Sequence, residues 1–90
     1  MARVAAFQIE GLTLWFWSED HEPPHFNAKR SGEWQVKVCF MRAPNQMIEV
    51  QWAARKMRGK LRRELCRLAE EHRLALLRQW EEIQGGQHGN

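Results

Sequence analysis

Apolar residues recur at every second position as far as Trp52 and at every third or fourth position from Leu61 onward, and this change of period limits the fold more than any other feature. Alternation marks extended strands, whereas spacings of three and four place side chains along one stripe of a helix. The pattern predicts an α+β fold with strands first and helix last. In 90 residues only one domain fits, and such a domain buries only about 60% of the surface its unfolded chain exposes. Five Trp, four Phe and four Met supply the bulk of its core.

Phe7 and Ile9 read as one strand and Leu12, Leu14 and Phe16 as the next, reversing at Gly11. Trp15 and Trp17 fall on the other side of the second strand, which makes both of its faces apolar and predicts a central place in the sheet or a covering partner. Pro23 and Pro24 stiffen the connection that follows. Residues 25–30 form a third strand, Ser31 and Gly32 turn it, and residues 34–40 form a fourth. After a turn at Ala43, Pro44 and Asn45, residues 47–52 form a fifth, with Ile48, Val50 and Trp52 opposing Glu49 and Gln51. Leu61, Leu65, Leu68, His72, Leu76, Trp80 and Ile83 predict one helix about 25 residues long, ended by Gly85 and Gly86. The expected architecture is a short antiparallel β-meander of about five strands packed against one long C-terminal α-helix. Residues 1–84 form the domain and residues 85–90 a flexible tail.

Cys39 and Cys66 have no CxxC spacing and no secretory leader ahead of them, so two buried thiols are expected in a cytoplasmic protein. No apolar run reaches the ~20 residues of a membrane span. The absence of a Gly-rich phosphate loop, a nucleophile elbow and a CxxC pair removes nucleotide-binding, hydrolase and thioredoxin-like readings.

Two segments carry chemistry. Asp20, His21 and His25 flank the prolines, and Asn27 lies two residues beyond His25, on the same side if both belong to a strand. Imidazole and carboxylate are ligands for zinc or another divalent ion. His21 and His25 could instead serve as acid and base in metal-free RNA cleavage, since histidine titrates near neutrality. The structural alternative is favoured: Asp20 accepts loop N–H groups, and a histidine beside prolines locks the loop through carbonyls. No metal or other cofactor is assigned. The second segment is basic: Arg55, Lys56, Arg58, Lys60, Arg62, Arg63 and Arg67 are seven of the chain's fourteen Lys and Arg. That density attracts phosphates. The competing reading, which the net charge of only +3 favours, is a solvated helix face matched by Glu70, Glu71, Glu81 and Glu82.

The stretch Trp-Ser-Glu-Asp-His-Glu-Pro-Pro-His-Phe-Asn-Ala, residues 17–28, resembles the hallmark of the domain of unknown function 4160 family, Asp-His-x-Pro-Pro-His-Phe-His after a strand. Asp20, His21, Pro23, Pro24, His25 and Phe26 match it, as does the extended approach through Trp17. Glu71, His72 and Arg73, with Leu77 and Trp80, are similar to the family's closing helix, so the likeness runs from Phe7 to Ile83. Asn27 departs from it, standing where the family commonly has a third histidine. The resemblance implies a small bacterial protein from a toxin-antitoxin-like gene pair and brings no established activity with it. Residues and resemblance together predict a non-enzymatic interaction protein with no membrane association. Its partner is the neighbouring gene's product or a second copy, with nucleic acid touched through the basic segment. The alternatives are a His-dependent ribonuclease-like toxin and a divalent-metal-binding protein.

Overall fold

The computed structural model describes residues 1–87. Five antiparallel strands form one sheet in chain order: β1 Ala2–Arg3, β2 Thr13–Phe16, β3 Phe26–Arg30, β4 Trp34–Val38 and β5 Ile48–Ala53. Two helices follow, α1 Gly59–Glu71 and α2 Arg73–Gln87. The α+β meander is as expected, but the long helix is two.

The helix-facing side of the sheet carries the core. Leu14, Phe16, Phe26, Ala28, Trp34, Val36 and Val38 alternate inward and meet Leu65, Ala69, Leu76 and Trp80 from the helices. Phe26 sits at its centre, edge-on to Phe16 and stacked with Phe40 at ring separations of 6.3 Å each.

The departures from the expected elements are local. The first strand is Ala2–Arg3, paired to Phe16 and Trp15, and not the Phe7 and Ile9 stretch, whose side chains pack on the core from a loop. Gly11 does reverse the chain, at φ 86° with Leu12 N–H donating to Ile9 O at 3.1 Å, but inside that loop. Trp17 lies beyond the end of β2 and is half exposed, edge-on to Trp15. The far face of the sheet is otherwise mostly polar, with Lys37, Gln35 and Glu49 beside Trp15 and Asn27, so its expected apolar character is confined to Trp15 of β2 and Trp52 near the end of β5.

In β5 a bulge intervenes. Val36 pairs with Val50 but Gln35 pairs with Trp52, so Gln51 is an extra residue and Trp52 is turned away from the face that holds Ile48 and Val50. The helix breaks at His72, whose φ of −102° and ψ of 21° depart from helical values. Phe7 stacks on the His72 ring at 5.4 Å. Arg73, the first residue of α2, donates from Nε to Phe40 O at 2.7 Å and from Nη2 to Arg42 O at 3.0 Å. Those contacts tie the break to the loop after β4. Replacing Arg73 with Gln is expected to lower stability by about 1–3 kcal/mol, the range for charge-assisted bonds, readable as a shift of the urea midpoint with unchanged slope. α2 continues through Gly85 and Gly86 to Gln87, into the expected tail, whose last residues 88–90 lie outside the described residues.

Candidate functional site

Pro23 cannot continue a ladder, and the chain between β2 and β3 turns through a cis Glu22–Pro23 peptide. The turn delivers His25 to the end of β3, only 2% exposed, with its ring 5.4 Å from that of Trp80. Nδ1 donates to Pro23 O at 2.8 Å, because a carbonyl only accepts. Nε2 lies 3.1 Å from Asp20 Oδ2 without forming a hydrogen bond to it, and that contact is attractive only when the ring carries a proton on both nitrogens. One nitrogen is thus occupied by the backbone and the other faces a carboxylate, both away from solvent. This arrangement holds the loop between Asp20 and β3 against α2 and presents no free imidazole edge to a solute.

The other residues of the motif are elsewhere. His21 is exposed and makes no hydrogen bond or ion pair among the described residues. Asn27 alternates to the far face, where Nδ2 reaches Trp15 O at 3.5 Å, at the limit of a hydrogen bond. Trp15 Nε1 is buried beside it with no hydrogen-bond partner among the described residues. Asp20 and His25 are therefore brought together, while His21 and Asn27 stand apart from them. Among the described residues no group of three or more His, Cys, Asp or Glu is arranged to hold a metal ion.

The basic segment begins where β5 ends. Glu33 O accepts from Ala54 N–H at 2.7 Å and from Arg55 N–H at 3.1 Å, which fixes the exit of β5 beside the turn before β4. Arg58 then occupies the N-cap of α1 with no side-chain cap, and the first turn carries no acidic residue. Arg55, Lys56, Arg58, Lys60, Arg62 and Arg63 are exposed, and none enters an ion pair among the described residues. Arg67 differs: it bridges Glu64 at 2.8 Å and Glu71 at 2.9 Å, so the expected seven divide into six unpaired cations and one matched.

Between β5 and the start of α1 lies an open groove of about 670 Å³. Trp34, Val36, Val50, Ala53 and Met57 line it, with Arg55, Lys56 and Arg62 around them. Arg30, not singled out in the sequence, joins Arg55, Lys56 and Arg58 around an adjoining cleft, though it is paired with Glu33 at 3.0 Å. In a meander the last strand must be an edge, and that signal was available in the sequence. The bulge and the groove were not.

Both cysteines are free and buried. Burial pushes each thiol up, against the opposing pull of Arg42 on Cys39 and of Arg62 on Cys66. Both thiols are expected to alkylate much more slowly at neutral pH in the native protein than in urea. Equal rates in the two states, followed by mass spectrometry, would contradict that burial. Beside Cys39, a hydrogen bond from Arg42 holds the Glu49 carboxyl below the usual carboxylate range.

The family model described as Domain of unknown function (DUF4160) matches residues 11–81, from the Gly11 turn into α2. No curated protein and no solved structure matches the chain. Among the described residues no helix is long and apolar enough to cross a membrane.

Proposed function

The chain belongs to the family of the domain of unknown function 4160, and on that premise we propose that it is a non-enzymatic interaction protein that binds an anionic partner across the end formed by β5 and the start of α1. The observation that carries this reading is the set of six cations that, among the described residues, are unpaired beside an uncovered strand. Like charges crowded into the positive end of a helix repel one another and oppose its dipole. An anionic partner relieves both effects. The burial of His25 between Pro23 O and Asp20 supports a structural role for the histidine motif in preference to a catalytic one.

In a toxin-antitoxin-like pair the partner is the companion gene's product. Co-expression should recover the two proteins together, and replacing Arg55, Lys56, Arg62 and Arg63 by Gln should abolish recovery without loss of helix, since Gln is nearly as good a helix former as Arg or Lys. Recovery of the complex at undiminished yield with that variant would contradict the reading. The same cations support a second reading, nucleic-acid contact. If they neutralise four phosphates, affinity for duplex DNA should fall with a log–log salt slope of about −3.6, at −0.9 per contact. Absence of retardation of either DNA or RNA at low salt would eliminate it.

A further inference from the structure

β5 has six residues and nothing covers its outer edge among the described residues, whereas the opposite edge of the sheet is the two-residue β1. Its exposure is of a particular kind. Cys39 N–H donates to Met47 O at 2.7 Å, and Lys37 pairs with Glu49. Hydrogen-bonded and non-hydrogen-bonded pairs alternate along antiparallel strands, so the N–H and C=O groups of Ile48 and Val50 point away from β4 toward the open edge. The Val50 side chain is 61% exposed although it lies on the helix-facing side, opposite the buried Val36. No Pro or Lys interrupts β5, and of the usual protections of an edge strand it has only the bulge at Gln51, which lies beyond the outward groups of Ile48 and Val50.

Backbone groups, an aliphatic floor and a basic rim converge here. We propose that an extended, acidic and aliphatic segment of a partner protein adds to β5 as a sixth strand. Its backbone pairs with Ile48 and Val50, an aliphatic side chain enters the groove beside Val50 and Met57, and carboxylates meet Arg55, Lys56 and Arg62. The proposal rests on the anionic-partner reading and names the partner's chemistry. Charge argues against a second copy as the occupant. In an antiparallel pair of β5 strands, Arg55 and Lys56 would face residues 44–46, Pro, Asn and Gln, and the one acid of the strand, Glu49, is already held by Arg42. A duplex nucleic acid would satisfy the cations but leave the backbone groups and the aliphatic floor without partners.

The test uses the full chain, labelled with ¹⁵N, and four probes. These are an acetylated peptide of about nine residues, long enough to cover a typical strand, with Glu and Val alternating at groove-facing positions between Thr residues; the same peptide with Lys for Glu; duplex RNA; and duplex DNA. The acidic peptide is expected to shift and protect the amides of Ile48 and Val50, and the Lys peptide to bind at least about tenfold more weakly, the equivalent of a single charged contact. Val50→Pro removes an outward donor while leaving the ladder to β4 intact, and should weaken the acidic peptide by about tenfold. Arg55→Glu with Lys56→Glu, at exposed positions that pose no risk to folding, should weaken it at least as much. Binding of the acidic peptide that ignores both variants, or no binding of it at millimolar concentration, overturns strand addition. If RNA or DNA then binds through the same cations, the anionic-partner reading survives. If no nucleic acid binds and the companion protein is not recovered either, that reading fails as well.

Discussion

Replacing Trp80 with Ala is expected to lower stability by about 3–5 kcal/mol, the range for removing a buried Trp side chain, and to lower the melting temperature by about 12 °C or more in a domain of this size. Trp80 is 3% exposed and joins three parts of the molecule: it is a core residue of α2, it lies 6.4 Å from the Phe16 ring of β2, and its ring meets His25. A domain of this length has about 5–15 kcal/mol to lose in total. Calorimetry of the variant reads the result, and a change below about 1 kcal/mol, typical of surface positions, would mean that α2 does not pack on the sheet as described.

His25→Ala is expected to cost about 2–4 kcal/mol, combining a lost hydrogen bond to Pro23 O with the cavity left beneath Trp80. The Asp20 carboxylate, already partly withdrawn from water, loses its neighbour as well. A catalytic histidine and a structural one differ in what the substitution does. A structural His25 predicts a large fall in the denaturation midpoint and, in cells, no growth difference from wild type at temperatures where both are folded. Growth arrest by wild type that is relieved by His25→Ala, at unchanged stability, would instead support the ribonuclease-like alternative.

The sheet was legible where its strands are half-buried and alternate cleanly, as in Trp34, Val36 and Val38 against Gln35 and Lys37. It was not legible at β1, because two residues, Ala2 and Arg3, contain no period, while the spacing of Phe7 and Ile9 imitates a strand although both residues only fill the core from a loop. The break between α1 and α2 left no mark on the stripe. His72 keeps its place in it, with His72 N–H donating to Leu68 O and Leu76 N–H to His72 O at 2.9 Å each, so neither glycine nor proline was needed. What bends the helix there involves Phe7, Phe40 and Arg42, all far away in sequence.

Of the candidate sites, sequence identified the residues better than their company. Asp20 and His25 meet, but the two-residue spacing of His25 and Asn27 did not put them on one side, because the chain has not entered the strand at His25. The basic run was visible by composition. The apolar groove it borders depends on a one-residue bulge and on which part of the sheet two helices fail to cover, and neither is encoded locally.

Amide hydrogen exchange on the co-expressed complex, compared with the free chain, tests most directly where the partner binds. The predicted result is slowed exchange at Ile48 and Val50 and through Arg55 to Arg62, with the amides around Asp20 and His25 unchanged. Protection centred on Asp20 to Asn27, with β5 exchanging as it does in the free chain, would contradict it and place the working surface at the histidine motif.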